Sequence, residues 1–562
     1  MYYKKIIVFY SIFCLIIIST TSIITIESKA NSLQPTVKIN IDPNTIIYEG
    51  DIINCTITGD PIYKYWSINN QSKHTTFYGG NPVIYDPEQT PLDTNFVNLT
   101  VYTENEFGNA SDTVKISIKR IYFGDIHWHS KLSDGKYLLD TMYKNAEEDN
   151  YLDFTCSTEH AEFKPSKLKL FFPLLWYRIK DLVRDQYAPG KFTTFLAFEY
   201  TGTKINISNI QLPLISDTSH INFYYKEIYP NASRYSSNIK IIYDSIFSAM
   251  NKEWNEGHYN IGFFHHPLAG NIHKKIFGTY KFDVNFYINW TKLIKKLDNT
   301  NFRENILKVI RGVETYSRWG TAIGKYSGIP IHWQYNQNHI IDSPDSWVEN
   351  ALWEWSENSY TKGHPFVLQA GSDTHFTNRP GSGEISEREI YNNHPNPSGI
   401  MAAYAIHNTR DEIWDAMNNC SIYGSQLLKI RANVRFNEQM VLGQWINCSS
   451  PVKIQITAFS TFPEYDRSNR SMNPNSYSQD ELDYPIQDIW LLKKDRDQGR
   501  PWCKIIGHAT PNEHLAIVTF NDTDVQPNDF YWVAIRQKGQ ELLPGQNEYM
   551  AFIGPIFINN II

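Results

Sequence analysis

Between about Thr36 and Lys119 apolar and polar positions alternate in short runs, "TVKINI", "DIINCTIT", "KYWSI" and "NFVNLTVYTENEFGNASDTVKISI", divided by turn residues. Period-two alternation with frequent turns predicts a β-sandwich. From Ile121 to about Ser425 the texture changes, and apolar β-type runs alternate with helical patterns. Leu139, Met142, Tyr143 and Ala146 fall at i, i+3, i+4 and i+7, predicting an amphipathic helix. Thr409, with Glu412 three residues on, reads as a capping box that opens another helix. Strand–helix alternation over this length predicts an α/β domain of barrel-like architecture. After Leu427 the alternation returns in "LLKIRANVRF", "VKIQITAFS", "DIWLLKK", "LAIVTF" and "DFYWVAIRQ". The expected order is a sandwich over 31–119, a barrel over 120–426 and a second all-β domain over 427–562.

At 562 residues the chain is too long for a single core. Charged residues make up 20% and apolar ones 41%, and the formal net charge is −7, so bulk electrostatics give no argument for nucleic-acid binding. The first 30 residues carry Lys4 and Lys5, an apolar run from Ile6 to Ile18 and a small-x-small site at Ser28-Lys29-Ala30. This predicts a secretory signal and an exported protein, extracellular, periplasmic or at the cell surface. Weak apolar character up to Ile26 leaves an uncleaved anchor as the alternative. No other run is long enough to span a membrane. Five cysteines follow Ala30 with no CxxC among them, which argues against a cysteine zinc site. Cys448 and Cys503 are the pair expected to form a disulfide if one exists.

Candidate chemistry lies at the ends of the apolar runs in the middle segment. "RIYFGDIHWH" ends in His127 and His129, "YLDFTCSTEH" in Glu159 and His160, and "YNIGFFHHP" in His265 and His266. "TTFLAFEYTG" carries Glu199, "KVIRGVETYS" carries Glu314, and "PFVLQAGSDTH" ends in Asp373 and His375. In a parallel barrel the C-terminal strand ends converge on one mouth. So many imidazoles and carboxylates in one place are costly to desolvate unless cations compensate. Two or three divalent ions, zinc, manganese or iron, are the expected cofactors.

The N-terminal segment resembles an immunoglobulin-like or polycystic-kidney-disease-type repeat, with Cys55 and Trp66 as its core pair and Val101 where the partner cysteine would stand. The motifs "GDIHWHSKLSDG", "STEH", "FEYTG", "HHP" and "GSDTH" resemble those of the PHP superfamily, the polymerase and histidinol phosphatase metal-dependent phosphoesterases. "VETYSRWG", "GSDTHFTNRPG" and "GIMAAYAIHNTRDEIWDAMNNCSIYGS" resemble an uncharacterised, often exported branch with a β-domain after the barrel. The resemblance covers about residues 121 to 562. It implies a distorted (β/α)7 TIM-like barrel, flanked here by the immunoglobulin-like sandwich and the C-terminal all-β domain. It also implies three ligand sets. His127, His129, Glu199 and Asp373 would hold the first ion; Glu199 would share the second with His220 and His266; Asp134, His160 and His375 would hold the third. His266 is preferred here to His265. Asp125 and Glu314 would orient ligand imidazoles or the attacking water.

The reaction expected is hydrolysis of a phosphate mono- or diester by hydroxide formed at the metals. The substrate would be a phosphorylated small molecule or a cell-surface phosphate. Arg379, in "DTHFTNRPG", has the planar fork to reach a phosphate oxygen, and a structural salt bridge is its other reading. An amidohydrolase-type enzyme acting on a non-phosphate bond also opens with HxH, but usually bridges its metals with a strand lysine, and none ends a run here. A catalytically degenerate binding protein is the remaining alternative. An exported nuclease would need an aromatic, basic groove, for which "FKPSKLKLFFPLLWYRIKDLVRD" is the one candidate, also readable as a packing helix.

Overall fold

The runs "LAFEY", "INFYY" and "NIGFF" leave no position for solvent, the pattern of strands covered on both faces. In the computed structural model all three are strands with every residue buried. The structure describes residues 34–85, 87, 89–148, 152–161, 172–200, 206–207, 210–211, 220–232, 243–265, 268–276, 280–287, 290–317, 320–323, 326–330, 348–375, 377–381, 399–426, 428–460, 484–543 and 546–562. The expected signal segment lies outside these residues. No helix among them is long and apolar enough to cross a membrane.

The chain divides into two compact units, Met1–Ile118 and Lys119–Ile562. In the first, β1 (Thr36–Ile39) pairs antiparallel with β2 (Cys55–Thr58). β3 (Tyr63–Ile68) pairs with β4 (Val97–Asn105), which turns back into β5 (Gly108–Asp125). β4 alternates buried and open positions, as its sequence dictates. Trp66 is fully buried and stacks on His74 at 4.0 Å, with Val101 beside it in register on β4.

The second unit continues along β5. Helix α1 (Leu139–Glu148) buries Leu139, Met142, Tyr143 and Ala146, the four positions that predict it. After β6 (Phe154–Thr155) comes α2 (Phe172–Asp185), which sinks Trp176, Ile179, Leu182 and Val183 into the core. The aromatic insertion is therefore a packing helix over its described part. Then follow β7 (Thr193–Thr194), β8 (Leu196–Tyr200), β9 (Ile221–Tyr225), α3 (Tyr243–Asn255), β10 (Asn260–Phe264), α4 (Thr300–Val309), β11 (Ile310–Ser317), α5 (Val348–Glu357) and β12 (Val367–Ala370). β13 (Gly399–Ala405), α6 (Arg410–Asn418) and β14 (Ile422–Gln426) complete the segment. At α6 the Thr409 hydroxyl accepts from the Glu412 amide. The Glu412 carboxylate turns instead to the amides of Ile406 and His407, so only half of the expected capping box forms.

One sheet of this unit runs β8–β9–β10–β11, with β12 on β11. β10, β11 and β12 are mutually parallel, but β9 is antiparallel to both β8 and β10. The other runs β7–β6–β5–β13–β14 and onward into the C-terminal strands. Among the described residues no sheet closes into a barrel. Single parallel bridges tie the two sheets: His160, after β6, meets Glu199 on β8, and Trp128, after β5, meets Thr374, after β12. The Ala161 amide donates to the Glu199 carbonyl at 2.7 Å, and that of His129 to the Thr374 carbonyl at 2.8 Å.

The C-terminal strands are β15 (Arg431–Phe436), β16 (Trp445–Cys448), β17 (Val452–Phe459), β18 (Ile486–Lys494), β19 (Cys503–Ala509), β20 (Leu515–Asp522), β21 (Phe530–Leu543) and β22 (Gln546–Ile561). β22 pairs directly with β14, so this region extends a sheet of the preceding segment and lies in the same unit. Lys494, on β18 and fully buried, donates to Ser356 Oγ and the Asn528 carbonyl, both at 3.0 Å, and meets Glu357 at the end of α5. Cys448 and Cys503 are free thiols, against the expected disulfide. They lie on β16 and β19, and the sheet runs β16–β22–β21–β18–β19 between them. Four strand spacings span about 19 Å, far beyond the reach of a disulfide.

Gly312 sits where β11 meets β12, and a Cβ there would fall inside the Val367 carbonyl. Gly312→Ala should destabilise the second unit by about 1–3 kcal/mol, read as a lower midpoint of thermal or urea unfolding.

Candidate metal centre

Glu199 lies near the end of β8, only 1% of its side chain exposed, and five imidazoles close around it. His129 Nε2 is 3.0 Å from one of its oxygens and His127 Nε2 3.5 Å. His160 Nδ1 at 3.2 Å, His265 Nε2 at 3.5 Å and His220 Nδ1 meet the other. Asp373 completes the first group, 3.3 Å from His127 and 3.2 Å from His129. Asp134, with 54% of its side chain exposed, stands at the rim, 3.4 Å from His160 and 3.2 Å from His375.

The donor atoms fall into overlapping groups whose members all lie within 4.8 Å of one another: His127, His129, Glu199 and Asp373; His129, Asp134, His160 and His375; Glu199, His220 and His265; and His127, His265 and Glu314. The first set is the one expected for the first ion. The third matches with His129 added. In the second, His265 stands with Glu199 and His220; His266, the preferred ligand, lies outside the described residues. Adjacent residues at a strand end point to opposite sides, so sequence alone leaves the two equivalent until the register of β10 is known. That register puts Phe264 against Ile221, and the His265 amide donates to the His220 carbonyl at 3.0 Å.

His220 shows why direction matters. It precedes β9, which runs opposite to its neighbours, so the start of this strand lies at the same rim as the ends of β8 and β10.

Hydrogen bonds behind the donors fix their orientation. His127 Nδ1 donates to Glu314 Oε2 at 2.8 Å, turning Nε2 toward Glu199 and Asp373. His375 Nδ1 donates to the Asp373 carbonyl at 2.9 Å, turning Nε2 toward Asp134. Such partners set the tautomer and aim of a ligating imidazole. Glu159 accepts from the Ser130 amide at 3.0 Å and from the Ser133 hydroxyl, shaping the loop that carries Asp134. Glu314, expected to orient an imidazole or the attacking water, thus lies against the His127 ring.

Asp125 bonds mainly to backbone. It accepts from the amides of His127 (3.1 Å), Ser372 (3.0 Å) and Gly381 (2.6 Å) and from the Ser372 hydroxyl, so it holds the HxH turn to the 371–381 loop. These bonds satisfy buried amides and fix the backbone that carries His127. Arg379 is half-buried on that loop, its amide donating to Thr377 Oγ1 at 3.3 Å.

Charge follows burial and neighbours. Burial pushes Glu314 up to about 7 against the pull of His127. It pushes Asp125 up to about 6, with the Ser372 and His127 donors holding it from rising further. At Glu199 burial acts the same way, but the surrounding imidazoles of His160, His265, His220 and His129 outweigh it and hold the carboxyl well below its usual range. The donor set fits divalent cations. His129 Nε2 is buried without a hydrogen bond although two carboxylate oxygens lie beside it, the arrangement of atoms aimed at a common point rather than at each other.

Three features were not singled out in the sequence. Asp373 has φ +54, the left-handed region, strain of a kind that gathers at functional sites. Gly371 allows its strand end to approach His127: a Cβ would lie 2.5 Å from His127 Cβ and 3.1 Å from Glu314 Oε2. Ser372 joins Asp125 to both loops. The glycine and serine of "GSDTH" were the available signal.

Residues 336–441 match the model of a family described as "Protein of unknown function (DUF3604)". No curated protein matches. Among solved structures, a two-domain protein from Bacteroides vulgatus containing a predicted PHP-like metal-dependent phosphoesterase matches at 14% identity, over 76% of this chain and 94% of that one, with a TM-score of 0.31. A β-glucuronidase from Bacteroides uniformis matches at 8% identity, over 94% of this chain and 61% of that one, with a TM-score of 0.18. TM-scores this low leave the functional reading to the geometry of the site.

Gly371→Ala and Glu314→Gln should each weaken metal binding by about 10–100-fold with unchanged far-ultraviolet circular dichroism, as read by competition with a chromophoric chelator.

Proposed function

We propose that the second unit is a metal-dependent phosphoesterase that hydrolyses a phosphate mono- or diester. One observation carries this reading: six histidines and four carboxylates, Glu199 among them, from segments spread between His127 and His375, converge with donor atoms close enough to share ions. The motif resemblance to the PHP superfamily supplies the reaction class. A distorted (β/α)7 barrel is part of the proposal, supported by the bridges that tie the two sheets at His160–Glu199 and Trp128–Thr374. So is an exported chain with an immunoglobulin-like spacer over 31–119.

His127, His129, Glu199 and Asp373 would hold one ion, Glu199, His220 and His265 a second, and Asp134, His160 and His375 a third. Bound divalent ions supply Lewis acidity and make a water nucleophilic near neutral pH. The chain's own part is to fix the donors and to exclude bulk water from Glu199. Glu314 holds the His127 tautomer, so the Nε2 lone pair is presented without reorganisation. Asp134, the exposed member, marks the side from which a substrate enters. The half-buried Arg379 on the adjoining loop is the candidate for receiving a phosphoryl oxygen.

Metal analysis of the purified protein, with a panel of phosphomonoesters and phosphodiesters, tests this. Wild type should bind two or three equivalents of divalent metal and turn over at least one panel member. Asp373→Ala should lose bound metal and at least about a hundredfold in turnover, the scale of losing metal-site geometry. Equal turnover in the two proteins would refute the reading.

A further inference from the structure

Helix α4 and the start of β11 present a second group of charges, toward the other end of the strand that carries Glu314. A cleft of about 600 Å3 is lined by Arg303, Lys308 and Arg311, with Trp254 and Tyr360 and one acid, Glu304. Arg303, Leu307 and Arg311, and likewise Glu304 and Lys308, are four residues apart, so they share one side of the helix and its extension. Arg311 precedes Glu314 by three residues, roughly 10 Å along the strand.

The three cations make no ion pair with a described carboxylate. Arg303 donates to the Leu297 carbonyl (3.2 Å) and Thr300 Oγ1 (3.4 Å) and lies 4.1 Å from the centre of the Tyr360 ring. Lys308 donates to Asn255 Oδ1 at 2.6 Å and sits 5.8 Å from the Trp254 ring. Arg311, only 9% exposed, gives Nε to the Asn418 carbonyl and Oδ1, both at 3.0 Å, and Nη1 to the carbonyls of Ile310 (2.9 Å) and Leu307 (3.4 Å). Its Nη2 donates to no described residue. Elsewhere in the unit Lys226, Lys493 and Arg536 each meet a carboxylate within 3.1 Å. A buried guanidinium with only neutral acceptors carries a desolvation cost that an anion would offset. Burial and Arg311 both lower the pKa of His364, which also lines the cleft, so this imidazole adds a neutral hydrogen-bonding group.

The geometry points to a binding site for a phosphate ester of a small ring compound, separate from the metal centre. Two guanidinium groups and an ammonium suit a phosphate. The volume lies in the range of pockets that enclose small molecules rather than bare ions, and the aromatic walls suit a ring.

Calorimetric titration of the full chain with ribose 5-phosphate and with inorganic phosphate tests this in wild type, Arg303→Gln/Lys308→Gln and Asp373→Ala. Asp373→Ala should keep the cleft's ribose 5-phosphate affinity. The double variant should lose at least tenfold in it, with metal content and circular dichroism unchanged, and Arg311→Lys should bind more weakly than wild type. Overturning results are a double variant that titrates like wild type, loss of all phosphate binding in Asp373→Ala alone, or inorganic phosphate binding where the ester does not. A protein without hydrolase activity that still binds ribose 5-phosphate at the cleft would sink only the catalytic reading.

Discussion

Burying Glu199 among five imidazoles is the constraint on which the second unit is built. A carboxylate removed from water is tolerable only when neighbours repay its lost hydration. No single strand can supply them, because successive side chains alternate faces and only one or two reach any given point. The repayment therefore comes from several segments at once, and the backbone arrangement follows from that need. Two sheets are tied by bridges beside the donors, one strand enters from the opposite direction, and Gly371 lets two strand ends approach within side-chain contact.

Around this centre the support is layered. Glu314, Glu159 and the Asp373 carbonyl orient imidazoles or the loop bearing Asp134, while Asp125 binds backbone amides of the HxH turn and of the 371–381 loop. These groups do different jobs with the same chemistry. A carboxylate facing an imidazole fixes a tautomer; one facing amides fixes a loop. The charge state of each follows from which partner it meets.

Much of this was legible in the sequence, because donors at the ends of apolar runs are a local signal. The helix over Leu139 to Ala146 was legible for the same reason, its spacing being a property of adjacent turns. What escaped was set by partners far along the chain. The position of His265 depends on the register of β10 against β9, while His266 lies outside the described residues. The amide partners of Asp125 at Ser372 and Gly381 lie some 250 positions away, beyond any local pattern. Glu412 forms half a capping box because the amides of Ile406 and His407 compete for its carboxylate. The cysteine pair was judged on nearness in sequence, whereas strand order keeps the two thiols apart.

The pairing of β14 with β22 joins the last strands of the chain to the sheet that carries the HxH segment. A chain ending at Gln426 would leave β14 with an open row of amides and carbonyls, an edge that recruits other strands. Lys494 would no longer fasten its strand beneath α5. The final quarter is thus not detachable cargo: whatever it contributes on its outer surface, natural variation there is bound to the integrity of the same scaffold that aligns the histidines.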